Sequence, residues 1–444
     1  MQSKQRSKIL GLLMVILIIT GCVSLQVQDF IRLPHQQKLS VGDQLSLGLN
    51  FPRQALNRLS VHVEAKKLGV FQLNGSRLSK GVFQYNDGIP VAVEPGQANI
   101  QLKIFGFIPL KSMMIDVVPR MDVIPGGHSI GVMLNSQGVM VVGFSPVVDN
   151  EGNKHYPAKD AGIKTGDIVL KINGKSVNSD RDMANIIRTE GNEGKVLTML
   201  IKRDDETEEK TVKPVLCREM GTYRIGLYIR DSAAGVGTLT FLEPGNLRYG
   251  ALGHVITDAD TGKKIDLREG KIVKASVQGI KKGTKGTPGE KIGMFQPDNE
   301  ITGNILKNTR VGIFGVLDKP IVNPYFKESI PIALNSQVQT GPAEIFTVIE
   351  GTKIEKYSIE IKKVLPFDRP DGKGMIIKVT DPRLLAKTGG IIQGMSGSPI
   401  VQNNKLIGAV THVFVNDPTQ GYGVYIEKML NESQTLTNPL AKAG

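Results

Sequence analysis

The stretch Gly394-Met395-Ser396-Gly397-Ser398-Pro399-Ile400-Val401, followed by Leu406-Ile407-Gly408-Ala409-Val410, sets a serine among small residues in a turn between two apolar runs. Such a turn suits nucleophilic chemistry, because small residues let the backbone bring two N–H groups close to a developing oxyanion. By position those amides belong to Gly394 and Ser396. A serine hydroxyl needs a base to act at neutral pH, and six histidines are available. His35, His62, His128 and His155 precede the region, and His412 falls in an apolar run where packing or surface exposure is expected. His254 stands apart, bracketed by glycines in Leu247-Arg248-Tyr249-Gly250-Ala251-Leu252-Gly253-His254-Val255-Ile256-Thr257-Asp258. Its imidazole can accept the serine proton and return it to a leaving amine. The acid that would orient that ring stays open on spacing alone: Asp258, Asp260, Asp298, Asp318, Asp368 and Asp381 all lie between expected strands.

Histidine before serine is the order of trypsin-like peptidases, whose nucleophile loop the Ser396 stretch resembles. An α/β-hydrolase would require serine, acid, then histidine, with glycine at the place of Ser398. Met395 stands where trypsin has an acid, which argues against trypsin's style of zymogen activation.

The elements that must position these groups are strands. Residues 216–432 hold short apolar runs broken by Gly and Pro, such as 236–242, 311–316, 344–349 and 375–379, and these suggest a pair of packed barrels or a large sandwich; the resemblance of the Ser396 loop to trypsin-like peptidases implies the double β-barrel. Residues 121–215 follow a different pattern: Pro125-Gly126-Gly127-His128-Ser129-Ile130-Gly131-Val132, then Pro157-Ala158-Lys159-Asp160-Ala161-Gly162-Ile163-Lys164-Thr165-Gly166-Asp167-Ile168-Val169, and an Asn173-Gly174 turn. This resembles the PDZ modules of bacterial proteases, in which a peptide adds to a sheet edge and a loop captures its carboxylate. Ser129, Ile130, Gly131 and Val132 take the place of that loop. A spacer domain without a ligand is the alternative.

Residues 36–120 alternate at period two (Leu45, Leu47, Leu49 and Phe51; Ile100, Leu102 and Ile104; Met113, Ile115 and Val117), with turns at Asn74-Gly75 and Asp87-Gly88, and predict a small β-sandwich. Residues 1–25 begin with Lys4, Arg6 and Lys8 before an apolar run from Ile9, the layout of a secretory signal or membrane anchor. Ile19-Thr20-Gly21-Cys22 also resembles a lipoprotein box. The bulk of the chain is therefore expected outside the cytoplasm.

The net charge of +13 is dispersed. Its densest stretch, 271–291, lacks interleaved stacking aromatics and reads as a solvated loop or strand face, so nucleic acid is not an expected partner. Two cysteines far apart supply neither a disulfide framework, a metal site nor a redox pair. No cofactor is called for.

The Gly-His-Val-Ile-Thr-Asp stretch at His254, Val379-Thr380-Asp381-Pro382, and Gly389-Gly390-Ile391-Ile392-Gln393-Gly394-Met395-Ser396-Gly397-Ser398-Pro399 together resemble the stage IV sporulation protein B peptidase family of endospore-forming Firmicutes. The resemblance extends over nearly the whole chain. It implies a triad of His254, Asp381 and Ser396, with Asp381 unusually near the nucleophile in sequence. It also implies a signalling protease exported to the space between the forespore membranes. That protease would cleave itself near its N-terminus and cleave a membrane-bound inhibitory partner in the sigma-K checkpoint. A membrane-tethered PDZ adaptor without catalysis is the alternative.

Overall fold

The computed structural model describes residues 35–45, 59–65, 69–78, 80–84, 88–296 and 301–436, together with Met14. The basic and apolar N-terminal run with Cys22, and Leu47, Leu49, Phe51, Asp87 and Asp298, lie outside the described residues. Among the described residues no helix is long and apolar enough to cross a membrane. The chain divides into two compact units, Met1–Met121 and Asp122–Gly444.

In the first unit a five-stranded sheet runs in the order Gln36–Ser40, Ile108–Val118, Gly96–Ile104, Leu59–Ala65, Lys80–Gln84, and a three-stranded sheet joins Ser76–Leu78, Phe71–Leu73 and Val91–Ala92. Alternation decides which side chains meet: Ile100, Leu102, Met113 and Ile115 pack with Val61, Val63, Val70 and Phe71 in one core.

The second unit is organised by two strands of 16 residues each, Ser129–Phe144 and Leu227–Leu242. They pair antiparallel from Ser129 opposite Thr238 to Phe144 opposite Leu227, with irregularities on the way. At one end they belong to the PDZ portion, where Val139 and Met140 pair with Val169 and Ile168, and the sheet continues through Leu197–Arg203 to Glu206–Val212. There Asn173 and Gly174 both adopt positive φ, 49° and 78°, in the tight turn that the Asn-Gly pair predicts. Ser179 caps the helix Asp180–Asn192 by accepting from the Asp182 amide, and Met183 and Ile187 face the core.

At the other end the same two strands build the peptidase portion. Ser129–Phe144 pairs with Leu267–Lys281, and Leu227–Leu242 pairs with Arg248–Ala251. Six later strands close an antiparallel barrel in the order Gly341–Val348, Ile354–Val364, Lys373–Val379, Asp417–Tyr425, Lys405–Phe414, Pro399–Gln402. In the earlier half the strands Ser129–Phe144, Leu227–Leu242, Arg248–Ala251, Gly312–Val316, Thr302–Asn304 and Leu267–Lys281 pair in a ring that returns to Ser129–Phe144, with Gly303 bridging Leu317, so the expected second barrel lies within the 14-stranded sheet.

The closed barrel is filled by Ile345, Ile359, Ile361, Met375, Ile377, Ile400 and Val410. Replacing fully buried Ile377 by alanine should cost about 2–5 kcal/mol, read as a lowered urea midpoint with the slope unchanged.

Candidate active site

Ser396 stands in the turn between the helix Pro382–Thr388 and the strand Pro399–Gln402. The turn lies on the strand Leu227–Leu242 with no space for side chains at its glycines. A Cβ on Gly397 would fall 2.0 Å from the Thr238 carbonyl oxygen, and φ there is +91°. That approach allows three bonds: Thr238 N donates to Ser396 O at 3.0 Å, Thr238 Oγ1 to Gly394 O at 2.8 Å, and Thr240 Oγ1 to Gly397 O at 2.8 Å. The amides of Met395, Gly397 and Ser398 donate to Ile392 O, Val410 O and Met395 O. Those of Gly394 and Ser396 donate to no acceptor among the described residues, and both residues line a cleft of about 640 Å³.

His254 lines the same cleft. Leu252 and Gly253 both take left-handed backbone conformations, φ 68° and 71°, and turn the chain sharply out of the strand Arg248–Ala251. Ser396 and His254 meet the strand Lys405–Phe414 at the same place. Ser396 Oγ donates to Thr411 O at 2.8 Å, and the Cβ position of Gly253 is 3.1 Å from Val410 O. His254 Nδ1 lies 2.8 Å from Val255 O. A carbonyl can only accept, so Nδ1 carries the hydrogen and Nε2 of the neutral ring keeps the lone pair that a general base needs. Burial lowers the His254 pKa below its ordinary value, with the Val255 carbonyl opposing.

His412, which the sequence places in a packing or surface role, faces the cleft with its ring centroid 5.1 Å from that of His254. Burial and then the neighbouring His254 push its pKa down to about 4, so the pair stays neutral at ordinary pH. Its Nδ1 lies 2.7 Å from Thr411 Oγ1. Arg230 and Asp258 also line the cleft, joined at 2.5 Å, while the other oxygen of Asp258 accepts from Thr261 and the Asp260 amide.

Asp381 does not join this group. It caps the helix Pro382–Thr388, accepts from the Arg383 amide and guanidinium and from Ser358 N, and makes no hydrogen bond to His254 among the described residues. The Arg383 guanidinium holds its carboxyl below the ordinary carboxylate value. The residue that the resemblance assigns to hold the imidazole is therefore engaged elsewhere, and the Val255 carbonyl occupies Nδ1.

Ser129, Ile130, Gly131 and Val132 also differ from expectation. They lie inside a strand paired on both edges, Gly131 opposite Val236 on one side and Val273 on the other. No edge is left for a peptide, and a Cβ on Gly131 would sit 2.5 Å from the Phe295 ring. A groove of about 570 Å³ lies instead between the helix Asp180–Asn192 and residues 222–229, lined by Met183, Ile187, Ile225, Gly226, Leu227 and Ile229 among others. Ile225 O and Gly226 O accept from Ala158 N and Ser145 N, whereas the Ile225 and Gly226 amides have no acceptor among the described residues. Gly226 sits at φ +75°, where any Cβ would meet Ser145 O at 2.4 Å.

With this geometry in view, residues 221–430 match the family described as SpoIVB peptidase S55, and residues 129–213 match the PDZ domain family. Serine protease HTRA1 of Xenopus tropicalis is 41% identical over 58 residues, which is 13% of this chain and 12% of that protein, so the chain spans about an eighth of that relative's length. Among solved structures, the active form of the Rv3671c protease of M. tuberculosis is 14% identical, covering 47% of this chain and 77% of its own at a TM-score of 0.26. The PDZ domain of an SdrC-like protein from Listeria monocytogenes is 25% identical over 21% of this chain and 87% of its own, at a TM-score of 0.17.

The Asp381–Arg383 pairing carries a stability signature. A carboxyl whose folded pKa is depressed stabilises the fold above its unfolded pKa and loses that contribution as pH falls through the folded value. Asp381→Asn should therefore lower stability at pH 7 by on the order of 1 kcal/mol for the weakened cap, read as a lower melting temperature. The difference from the parent protein should shrink as pH drops below 3.8. Thermal melts across pH 2–7 check this.

Proposed function

We propose that this chain, a serine peptidase whose residues 221–430 match the SpoIVB peptidase S55 family and whose residues 129–213 match the PDZ domain family, is a sporulation-signalling endopeptidase acting outside the cytoplasm at a membrane. In this reading Ser396 Oγ turns from the Thr411 carbonyl toward His254 and attacks the scissile carbonyl. His254 Nε2 takes the proton and later delivers it to the leaving amine. The uncommitted amides of Gly394 and Ser396 receive the oxyanion, where preorganised donors cost no reorganisation. The observation that carries the proposal is that these two amides, alone in residues 394–398, lack an acceptor and open into the cleft lined by His254.

The substrates follow from the family resemblance: the chain's own N-terminal segment, and a membrane-bound inhibitory protein whose removal releases processing of pro-sigma-K. The apolar run after Lys4, Arg6 and Lys8 would tether the enzyme beside such a partner. The groove at Ile225 and Gly226 supports a docking role for the PDZ portion. Its two free amides suit a peptide carboxylate, and Met183, Ile187 and Ile225 suit an apolar terminal side chain.

A fluorophosphonate probe tests the chemistry. The parent protein should label, while Ser396→Ala and His254→Ala should lower reactivity by up to roughly 10⁶-fold, the scale for losing a serine nucleophile or its base. Labelling of Ser396→Ala equal to the parent would sink the proposal. Because burial lowers the His254 pKa, the acid limb of the labelling rate should have its midpoint below 6.5, the base being already neutral where an ordinary imidazole is half charged.

The groove makes a separate prediction, read by fluorescence anisotropy. A labelled peptide with an apolar C-terminal residue should bind at least about tenfold more tightly as the free acid than as the amide, since charge-assisted hydrogen bonds to the carboxylate are lost. Ile187→Asp should weaken the free acid. Equal binding of acid and amide would remove the carboxylate from the picture.

A further inference from the structure

The stretch 271–291, expected to be solvated, contributes Lys291, which is only 6% exposed. It lies on the strand Glu290–Gln296, directly behind the nucleophile turn. Its main-chain N–H donates to Gln393 O at 3.0 Å. In a trans peptide the C=O and N–H point opposite ways, so this bond, made from the side of the Glu290–Gln296 strand, turns the Gly394 N–H away from Lys291 and toward the cleft. The Lys291 side chain reaches the next carbonyl. Nζ lies 2.9 Å from Thr347 Oγ1 and 3.5 Å from Thr238 Oγ1, and Thr238 Oγ1 donates its hydrogen to Gly394 O at 2.8 Å. Toward Lys291 the Thr238 hydroxyl can only accept, so the relay runs one way, from Nζ–H through Oγ1–H to the Gly394 carbonyl. A Cβ on Gly394 would fall 3.0–3.1 Å from three carbons of the Lys291 stem, so the turn rests on that stem.

We propose that Lys291 is the positioning residue of the oxyanion hole, clamping the carbonyls on both sides of Gly394 so that its amide faces the reacting oxygen. The assignment rests on the serine peptidase reading and adds a residue that touches neither substrate nor Ser396 Oγ. The main-chain half of the clamp could come from any residue, but the side-chain half needs a long donor. A plainly structural role would favour an apolar residue here. Burial pushes the Lys291 pKa down to about 7, and no ionisable group on the elements packed against it forms an ion pair with it among the described residues. Thr238 and Thr347 are its polar partners, so the ammonium is held at a cost to the fold.

The test is the rate of Ser396-dependent fluorophosphonate labelling in the full chain, where the probe's phosphoryl oxygen occupies the oxyanion hole. Lys291→Met keeps the stem's bulk and removes the donor. It should remain folded, with a melting temperature at pH 6 equal to or above the parent's, and label on the order of 10- to 100-fold more slowly. The parent rate should fall modestly as pH rises past about 7, where the ammonium becomes a neutral amine and a weaker donor, and Lys291→Met should lack that fall. Thr238→Val, which breaks the middle of the relay, should slow labelling in the same direction even if Lys291→Met fails to fold. A labelled parent matched by either folded variant in rate and pH profile overturns the assignment alone. A parent that does not label takes the peptidase reading down as well.

Discussion

The active turn depends on two backbones lying closer than any side chain would permit. Gly397 presses on the Thr238 carbonyl and on Leu252, and Gly394 presses on the Lys291 stem. Only because those Cβ atoms are missing can Thr238 and Thr240 reach the carbonyls of the turn with their hydroxyls. Each such bond is worth about 1 kcal/mol net, and a buried carbonyl left unsatisfied would cost about 1–3 kcal/mol. Their joint effect is directional: with its carbonyls satisfied from behind, the turn presents two amides to the front.

The cleft these amides face is tuned by burial more than by charge. Burial lowers the pKa of both His254 and His412, and the neighbouring His254 lowers that of His412 further. The Arg230–Asp258 pair at its edge keeps its charges satisfied internally. An imidazole with Nδ1–H committed to a backbone carbonyl is already the required tautomer, without a carboxylate. The cost is that the charge of the imidazolium formed during reaction is met by a carbonyl dipole, a weaker partner than an ionised acid.

The period-two pattern was enough to place Ile100, Leu102, Met113 and Ile115 in a sheet core, and Asn173-Gly174 in a left-handed turn, because those features are local. The serine and the glycine-bracketed histidine were legible for the same reason. What escaped is non-local. A stretch such as Gly127-His128-Ser129-Ile130-Gly131 looks like a loop until its partners on both sides are known. Lys291 sits in a basic run that reads as solvated, and only the packing of Thr347 and Thr238 over it makes it interior. His412 was set aside because nothing local says which face of the strand Lys405–Phe414 meets His254. Asp381 is the reverse case: an aspartate followed by proline is a local helix-start signal, and its capping role could have been read there.

The two 16-residue strands give this protein an unusual anatomy. Ser129–Asn135 is an interior strand of the peptidase sheet, although the stretch that matches the PDZ domain family begins at residue 129. Excising the module at its apparent sequence borders would pull an inner strand from the hydrolase and expose Ile130, Val132 and Leu134 from its core. Loss of activity after such a deletion would report a broken scaffold and say nothing about ligand capture. The two portions share their longest strands, so the groove beside the helix Asp180–Asn192 can be interrogated only by substitutions that leave both strands whole.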